Sequence, residues 1–359
     1  MSGWFCARVI GWQQRHGRHG LPWQATRDPY RVWLSEVMLQ QTQVATALDY
    51  YRRFLARFPD LASLAAAHQD EVLALWSGLG YYSRARNLHA CARQVTARPG
   101  GGFPRTAAEL QRLPGIGPST AAAIAAFCFG ERAAILDGNV KRVLTRAFGI
   151  GDDLRIAAHV RALQQRAESL LPTRDIEQAM PIYTQGLMDL GATVCTLRRP
   201  ACATCPLAGR CVAARQGQPE RYPVNTRRLR RGQQALWLLH AVDDRGQLWL
   251  ARRPATGIWA RLHCLPQYGS SGELMQDLPA PARATAAAHP PFAHALTHRD
   301  LEIHVISARL PAATPLAGEG RWHAPAAWPA LGLPAPVRRF LERQAATPFD
   351  QAMPKGVTK

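Results

Sequence analysis

The sequence predicts a two-domain protein, in which an all-α N-terminal domain precedes a smaller α+β domain. The chain has 359 residues, and this length suits two domains. Helical amphipathic patterns follow one another through about residue 190. From Gln234 the pattern becomes strand-like, and the apolar runs 236–239 and 248–250 flank the turn 243–246, which predicts a hairpin.

Composition and charge narrow the class of protein. Lys plus Arg number 44 and Asp plus Glu number 25, so the formal net charge is +19. Such a surplus favours a polyanionic partner, because binding releases counterions from phosphates; a solvated basic face is the alternative. No apolar run approaches the roughly 20 residues that a membrane span needs, and the N-terminus lacks the layout of a secretory signal. We therefore expect a cytoplasmic protein with no membrane partner.

Four of the eight cysteines fall in the segment 195–211, with the spacing C-x6-C-x2-C-x5-C. One compact metal centre could take all four thiolates: Cys195, Cys202, Cys205 and Cys211. A single C-x2-C pair between longer loops favours an iron–sulfur cluster over tetrahedral zinc, because the iron corners of a cubane lie further apart than the ligands of one ion. The cysteine spacing alone does not exclude a zinc ion at this site. Disulfides fit a reducing compartment poorly.

A stretch of the helical half has the pattern of a phosphate-binding hairpin. Residues 113–121 read Leu-Pro-Gly-Ile-Gly-Pro-Ser-Thr-Ala, between two short predicted helices. A Gly-x-Gly turn brings backbone amides and a helix N-terminus to the surface, where they bind phosphate oxygens without reading sequence. An ordinary helix corner is the alternative. The stretch resembles the helix-hairpin-helix motif of DNA repair proteins, which would span about 106–130.

Two carboxylates are candidates for acid–base chemistry. Glu36 lies on a helix predicted over 29–43, with apolar residues one turn away on both sides, where desolvation would raise its pKa. Asp137 follows the predicted hairpin and could also be only a helix N-cap. Cleavage of a glycosidic bond commonly uses two carboxyl groups, one to protonate the leaving group and one to stabilise or capture the sugar cation. A solvated mid-helix glutamate is the alternative for Glu36.

The order of these motifs resembles the endonuclease III superfamily of DNA glycosylases. Within it, the stretches 29–44 and 76–87 resemble the MutY-type adenine DNA glycosylases. The resemblance implies a helix-hairpin-helix glycosylase domain with a [4Fe-4S] cluster held by the four cysteines. It also implies that Glu36 protonates adenine N7 and that Asp137 opposes or transiently bonds the sugar cation. Family members that also cut the strand have a lysine where this chain has Ser119, so the resemblance implies a monofunctional enzyme.

Further site residues follow from the same resemblance. Arg18, Trp23 and Gln185 match positions that line the adenine pocket. Gln41 and Tyr81 match residues inserted into the base stack when adenine is flipped out. The backbone amides of the hairpin would bind phosphate at Gly115 and Gly117.

The C-terminal half resembles the Nudix-like domain with which adenine glycosylases sense 8-oxoguanine. Its recognition loop is Phe-Ser-His in bacterial members and Leu296-Thr297-His298 here, so Thr297 would supply the hydroxyl beside His298. A Nudix hydrolase needs a cluster of glutamates for magnesium. Between Gly246 and Arg299 the acids are Glu273 and Asp277 alone, which excludes pyrophosphatase activity.

These observations predict a helical glycosylase domain over 1–212, a basic linker over 213–232, a Nudix-like domain over 233–345 and a disordered tail over 346–359. The linker either lies along DNA or is a solvated tether, and the segment 270–292 is expected to be a variable loop. The predicted substrate is double-stranded DNA with adenine opposite 8-oxoguanine or guanine, bound by a monomer, near the nucleoid in a bacterium. The alternatives are an endonuclease III-like glycosylase and lyase, and a non-catalytic lesion-binding scaffold.

Overall fold

The computed structural model of the chain describes residues 3–224, 226, 231–311, 314, 316 and 319–346. Up to residue 224, the regular structure described is helical, as the sequence predicts. The α-helices are α1 (Gly3–His16), α2 (Pro29–Leu39), α3 (Val44–Arg57), α4 (Leu61–Ala66), α5 (Gln69–Leu75), α6 (Ser83–Thr96), α7 (Ala107–Leu110), α8 (Pro118–Phe129), α9 (Gly138–Phe148), α10 (Ala157–Ser169), α11 (Ile176–Asp189) and α12 (Val212–Arg215).

The described C-terminal part is α+β, which confirms the second half of the predicted fold class. Its elements are β1 (Gly232–Asp243), β2 (Leu248–Arg252), β3 (His263–Cys264), β4 (Gln267–Tyr268), α13 (Ser271–Asp277), α14 (Ala280–Ala284), β5 (Ala287–Ala288), β6 (Phe292–Ala295), β7 (Arg299–Leu310), β8 (Gly320–His323) and α15 (Ala335–Ala345). The segment 270–292 is therefore not a loop, because it contains two short helices and a strand.

The chain forms two compact units. One contains residues 1–51, 58–65 and 90–228, and the other contains 52–57, 66–89 and 229–359. Within the predicted linker, residues 225 and 227–230 lie outside the described residues, and so does the predicted tail from 347 onward. None of the helices described is both long and apolar enough to cross a membrane.

The core of the first unit forms where α1, α8, α9 and α11 pack together. Phe5 and Val9 of α1, Ala123 of α8, Val140 of α9 and Tyr183 of α11 are almost completely buried in one cluster. Gly186 of α11 lets α1 and α11 approach closely. A Cβ added there would lie 2.8 Å from Val9 Cγ1 and 3.2 Å from the Val9 carbonyl oxygen.

Helix α2 carries Glu36 and begins as the sequence predicts. The Asp28 side chain caps it by accepting a hydrogen bond from the Tyr30 amide at 3.0 Å, and proline occupies the first turn. The helix ends at Leu39 rather than at Gln43, the predicted end. Two residues later Gln41 has a left-handed backbone (φ 58°), which an α-helix cannot accommodate.

The sheet of the second unit has the order β3-β2-β1-β7-β5. Strands β1 and β2 are antiparallel around the turn, which confirms the predicted hairpin. Strand β1 also runs parallel to β7 from Gly232 opposite Arg299 to Asp243 opposite Leu310. A short turn joins β6 to β7, closed by the Leu296 amide donating to the Arg299 carbonyl at 2.7 Å. Thr297 and His298 lie in this turn.

We predict that Gly186→Ala destabilises the protein by about 1–3 kcal/mol, because the added methyl group would overpack the contact between α1 and α11. Gly11→Ala is the matched control: a Cβ at Gly11 meets the flexible end of Arg15 at 3.4 Å. It should stabilise α1 by about 0.5–1 kcal/mol. Thermal or denaturant unfolding of both variants measures the difference. Equal effects would contradict the proposed close packing.

Candidate functional site

A cavity of about 520 Å³ opens in the first unit, within the size range typical of small-molecule sites. Several residues expected in an adenine pocket line it together: Arg18, Trp23, Glu36 and Gln185. The remaining lining comes from Gln13 of α1, the loop after α1, α2, Phe127 of α8, and the side of α11 that carries Gln178, Pro181 and Ile182. The structure thus brings four predicted site residues to one cavity from three separate segments.

A buried carboxylate, Asp189, holds two of these pocket residues in place. Arg18 donates from its amide (2.9 Å) and its Nε (2.8 Å) to Asp189, and its Nη2 lies 2.7 Å from Oδ1. Gln185 Nε2 donates to the same Oδ1 at 2.8 Å. The Asp189 side chain is only 1% exposed. The sequence does not by itself predict this role, although Gln185 and Asp189 are one helical turn apart, which is a usable signal.

Gln24 is a second pocket residue that no sequence pattern indicates. Its Oε1 accepts a hydrogen bond from the Leu21 amide at 3.2 Å, which fixes the side chain. Gln24 is part of the cavity lining, and its buried Nε2 has no hydrogen-bond partner among the described residues. A buried donor without a partner is costly, so a ligand acceptor at this position would stabilise the site.

The Glu36 carboxyl group lines this cavity. It lies on α2 among the buried side chains Val32 and Trp33 of the preceding turn. Burial, and then repulsion from the Asp137 carboxylate, raise the pKa of Glu36 from 4.5 to about 8. Near neutral pH the group is therefore mostly protonated and can donate a proton into the cavity.

Asp137 occupies the N-cap of α9. Its Oδ1 accepts a hydrogen bond from the Val140 amide at 2.7 Å. Burial raises its pKa, while the amides of Val140 and Asn139 and the charges of Arg142 and Lys141 oppose that shift. The structural and functional interpretations of Asp137 are thus compatible, because the helix cap fixes a carboxylate close enough to Glu36 to affect its ionisation. Asp137 does not line the cavity itself.

The hairpin adopts the predicted helix–turn–helix form. Gly115 has a left-handed backbone (φ 74°), and Gly117 is the N-cap of α8 without a side-chain cap. A Cβ at Gly117 would meet nothing within 4 Å, so its surroundings are open. Ser119, in the first turn of α8, accepts a hydrogen bond from the Leu136 amide at 3.3 Å. Its hydroxyl thus fixes the chain directly before Asp137.

Gln41 and Tyr81, the two residues expected to enter a base stack, do not line the cavity. Each has a left-handed backbone, with φ of 58° and 46° respectively, a conformation that is uncommon outside glycine. Tyr81 follows Gly80 and is 44% exposed. Its hydroxyl lies 2.8 Å from Thr297 Oγ1.

The four clustered cysteines line one small pocket, together with the buried side chain of Arg146. All eight cysteines are free thiols, so the disulfide alternative does not hold. Arg146 Nη1 lies 3.4 Å from Cys195 Sγ and donates to the Thr196 carbonyl at 2.7 Å. Across the residues that the structure describes, no three His, Cys, Asp or Glu side chains converge closely enough to hold a single metal ion.

Comparisons with known proteins agree with this arrangement. Residues 34–172 match the family of HhH-GPD superfamily base excision DNA repair proteins, and residues 237–343 match the NUDIX domain. The chain is 35% identical to adenine DNA glycosylase of Buchnera aphidicola (subsp. Acyrthosiphon pisum) over 343 residues, which cover 94% of this chain and 97% of that one. Human adenine DNA glycosylase is 43% identical over 226 residues, covering 60% of this chain and 40% of the human protein.

Among solved structures, a thermostable thymine-DNA glycosylase superposes with a TM-score of 0.52 and 28% identity. The match covers 59% of this chain and 95% of that structure. A non-covalent endonuclease III–DNA complex superposes with a TM-score of 0.50 and 22% identity, covering 60% of this chain and 95% of the other, which supports the shared fold. Motif order, cavity and full-length similarity agree: the chain belongs to the adenine DNA glycosylase family, the DNA N-glycosylases of base excision repair.

Proposed function

We propose that this protein removes adenine paired with 8-oxoguanine, and also with guanine, from double-stranded DNA by hydrolysis of the N-glycosidic bond. The observation that carries the proposal is the Glu36 carboxyl group of the cavity, whose pKa is raised to about 8 by burial and by the nearby Asp137 carboxylate. A glycosidase needs one carboxyl group protonated and another ionised near neutral pH, and different surroundings provide that difference.

In the proposed reaction, adenine enters the cavity after it is flipped out of the duplex. The protonated Glu36 donates its proton to adenine N7, so that the base leaves as a neutral molecule. Asp137 faces the sugar as the C1′–N9 bond breaks and stabilises the positive charge, either electrostatically or by a transient bond that is broken when water attacks. Water then adds to C1′, and its proton passes to the Glu36 carboxylate. Arg18, Gln185 and the unpartnered Gln24 amide supply hydrogen bonds for the edges of the base.

The absence of a lyase step follows from Ser119. A Schiff base needs a primary amine to attack the sugar, and a hydroxyl group cannot form an imine. The Ser119 hydroxyl oxygen instead accepts a hydrogen bond from the Leu136 backbone amide. The proposed product is therefore an intact strand with an abasic site, unlike the product of an endonuclease III-type lyase.

Recognition of the opposite base is proposed for the turn between β6 and β7. The hydrogen bond between Tyr81 and Thr297 joins the side chain expected in the base stack to the hydroxyl expected at 8-oxoguanine. His298 follows in the same turn and would assist this contact. Gln41 would enter the stack from its own exposed turn, and the amides at Gly115 and Gly117 would bind backbone phosphates.

The four cysteines are proposed to hold a [4Fe-4S] cluster. Four free thiols around one pocket provide the required donor set, and the buried Arg146 guanidinium beside Cys195 would balance the negative charge of a thiolate-bound cluster. When bound, the cluster would order the loop 195–211 and leave the hydrolysis to the carboxyl groups. One flipped base needs one active site, so we propose a monomer, acting in the bacterial cytoplasm at the nucleoid.

A single-turnover assay tests the reaction on duplexes with one A·8-oxoguanine or one A·G pair. We expect strand breaks only after hot alkali, since the enzyme leaves an abasic site. Glu36→Gln should slow excision by about 100- to 10,000-fold while mismatch binding is retained, because only the acid is lost. Breaks without alkali would support the lyase alternative. If the unmodified protein binds the mismatched duplex tightly but releases no adenine, the result would support the alternative of a non-catalytic lesion-binding scaffold.

The pH dependence tests the assignment of the two carboxyl groups. Excision should fall as pH rises through about 8, because Glu36 then loses its proton. It should also fall in acid as Asp137, whose pKa is raised above its usual value, becomes protonated. The measurement is the single-turnover rate at subsaturating enzyme across this range. A rate that stays constant as pH passes 8 would contradict Glu36 as the acid.

Asp189→Asn tests the positioning of the pocket. The variant keeps the shape of the side chain but removes the charge that holds Arg18, so excision should fall about 100-fold. The alkaline limb of the pH profile should also move to lower pH, because an uncompensated Arg18 cation favours the ionised form of Glu36. A purely structural role would leave that limb unchanged.

The matched control for this variant is Glu71→Gln. Glu71 pairs with Arg57, both side chains are at least one-third exposed, and neither residue lines the cavity. Exposed ion pairs contribute little to stability, so this variant should behave like the unmodified protein. An equal loss in both variants would contradict the role of Asp189.

A further inference from the structure

The turn that presents Tyr81, residues 78–81, has a backbone that its own sequence does not stabilise. Gly78, Gly80 and Tyr81 have positive φ angles of 107°, 71° and 46°. Glycine adopts this conformation readily, whereas tyrosine adopts it at a cost and keeps it where the surroundings fix the chain. Tyr81 is 44% exposed, so burial of its side chain does not fix the turn. Contacts of the neighbouring residues therefore hold it.

Both ends of this turn are bound to one backbone oxygen, the carbonyl of Leu333. The Ser77 hydroxyl, directly before the turn, donates to this oxygen at 2.9 Å. The Tyr82 hydroxyl, directly after the turn, donates to it at 3.0 Å. Tyr82 and Leu333 are both buried, and the Tyr82 hydroxyl oxygen also accepts a hydrogen bond from the Gly78 amide at 3.4 Å. The two ends of the turn are thereby held at one buried point.

Arg338, near the start of α15, fixes this anchor. Its Nε donates to the Ser77 hydroxyl oxygen at 2.9 Å, which leaves the hydroxyl proton for Leu333. Its Nη2 donates to the Leu331 carbonyl at 2.7 Å, and its Nη1 donates to the Pro329 carbonyl at 3.1 Å. One guanidinium group therefore binds both the segment before α15 and the residue that begins the turn. All of these residues belong to the second compact unit.

Other hydrogen bonds to the turn come from its own segment of the chain. Arg84 Nη2 donates to the Leu79 and Gly80 carbonyls at 3.2 and 3.3 Å, and Trp76 Nε1 donates to the Gly80 carbonyl at 3.2 Å. These local bonds close the turn. They do not determine where the turn lies against the α+β part of the unit.

The Leu333 anchor supplies that placement. The Tyr81 hydroxyl lies 2.8 Å from Thr297 Oγ1, in the turn between β6 and β7. This contact depends on both turns keeping their positions in the unit. Ser77 and Tyr82 attach the Tyr81 turn to the same part of the chain from two sides, so the exposed ring is held in a defined place.

We propose that Ser77, Tyr82 and Arg338 are positioning residues for Tyr81. They hold its turn on the Leu333 carbonyl, so that the ring is placed for the base stack before DNA binds. This inference rests on the proposed role of Tyr81 in the base stack. A turn that is fixed in advance loses little conformational entropy on binding, whereas a released turn must be ordered by the DNA. Loss of the anchor therefore weakens DNA binding through Tyr81.

A double-mutant cycle with Tyr81→Ala tests the proposal. The ligand is a duplex with 2′-fluoroadenosine opposite 8-oxoguanine, in which the fluorine opposes the sugar cation and blocks excision. Ser77→Ala and Tyr82→Phe should each weaken binding about threefold, and the two together about tenfold. In the Tyr81→Ala background the same changes should alter affinity by less than about twofold. Single-turnover excision on A·8-oxoguanine should follow the same pattern.

Ser307→Ala is the matched control. Ser307 is a buried serine of β7 in the same unit, and its hydroxyl contacts His240 Nδ1 at 2.8 Å and His289 Nε2 at 2.7 Å. This variant should lose stability in thermal unfolding but keep its affinity for the duplex. Ser77→Ala carries the test if Tyr82→Phe does not fold.

The cycle separates positioning from a general structural role. An equal loss of affinity with and without Tyr81 would overturn the proposal. Unchanged affinity in the variants that lack the anchor, or full affinity in Tyr81→Ala, would overturn it as well. If the unmodified protein excises no adenine, the proposed function fails instead, and the binding cycle still decides the role of the anchor.

Discussion

The proposed chemistry depends on the burial of the Glu36 carboxyl group and on its electrostatic repulsion from the Asp137 carboxylate. Two carboxyl groups with similar intrinsic acidity must be in opposite states of protonation near neutral pH. The raised pKa of Glu36 has two causes, burial and the nearby Asp137 charge. Asp137 is buried too, yet the amides at the start of α9 and the Arg142 and Lys141 charges favour its ionised form. These amides and charges stabilise the Asp137 carboxylate, and no comparable contacts are among the causes of the Glu36 shift.

This arrangement requires that other charges near the cavity be balanced. Arg18 lines the same cavity as Glu36, and an unpaired guanidinium there would favour the ionised form of the acid. Asp189 prevents this by pairing with Arg18 while it also orients Gln185. The buried Asp189 carboxylate is thus explained better by its effect on the pocket than by stability, since burying a charge is costly even when it is paired.

Much of this was predictable because the relevant signals are local. The Asp28 cap, the helix that carries Glu36, the Gly-x-Gly hairpin and the first strand pair each depend on a short run of residues. The Arg18–Asp189 pair joins positions 171 residues apart, and no local pattern shows such a contact. The end of α2 was placed four residues too late because helical periodicity does not reveal the left-handed backbone at Gln41. The segment 270–292 is rich in alanine and proline, so its short helices and strand give no clear apolar pattern in the sequence.

The net charge of +19 invites the simple conclusion that the arginines bind DNA, but their surroundings differ. Arg146 is 1% exposed and holds the cysteine loop through its carbonyls, so it cannot reach a phosphate on a duplex. Arg18 is neutralised by Asp189. Arg338 donates to Ser77 and to the Pro329 and Leu331 carbonyls and so holds the turn that presents Tyr81. Function therefore follows from the partner that each guanidinium has or lacks, and a composition count cannot supply that information.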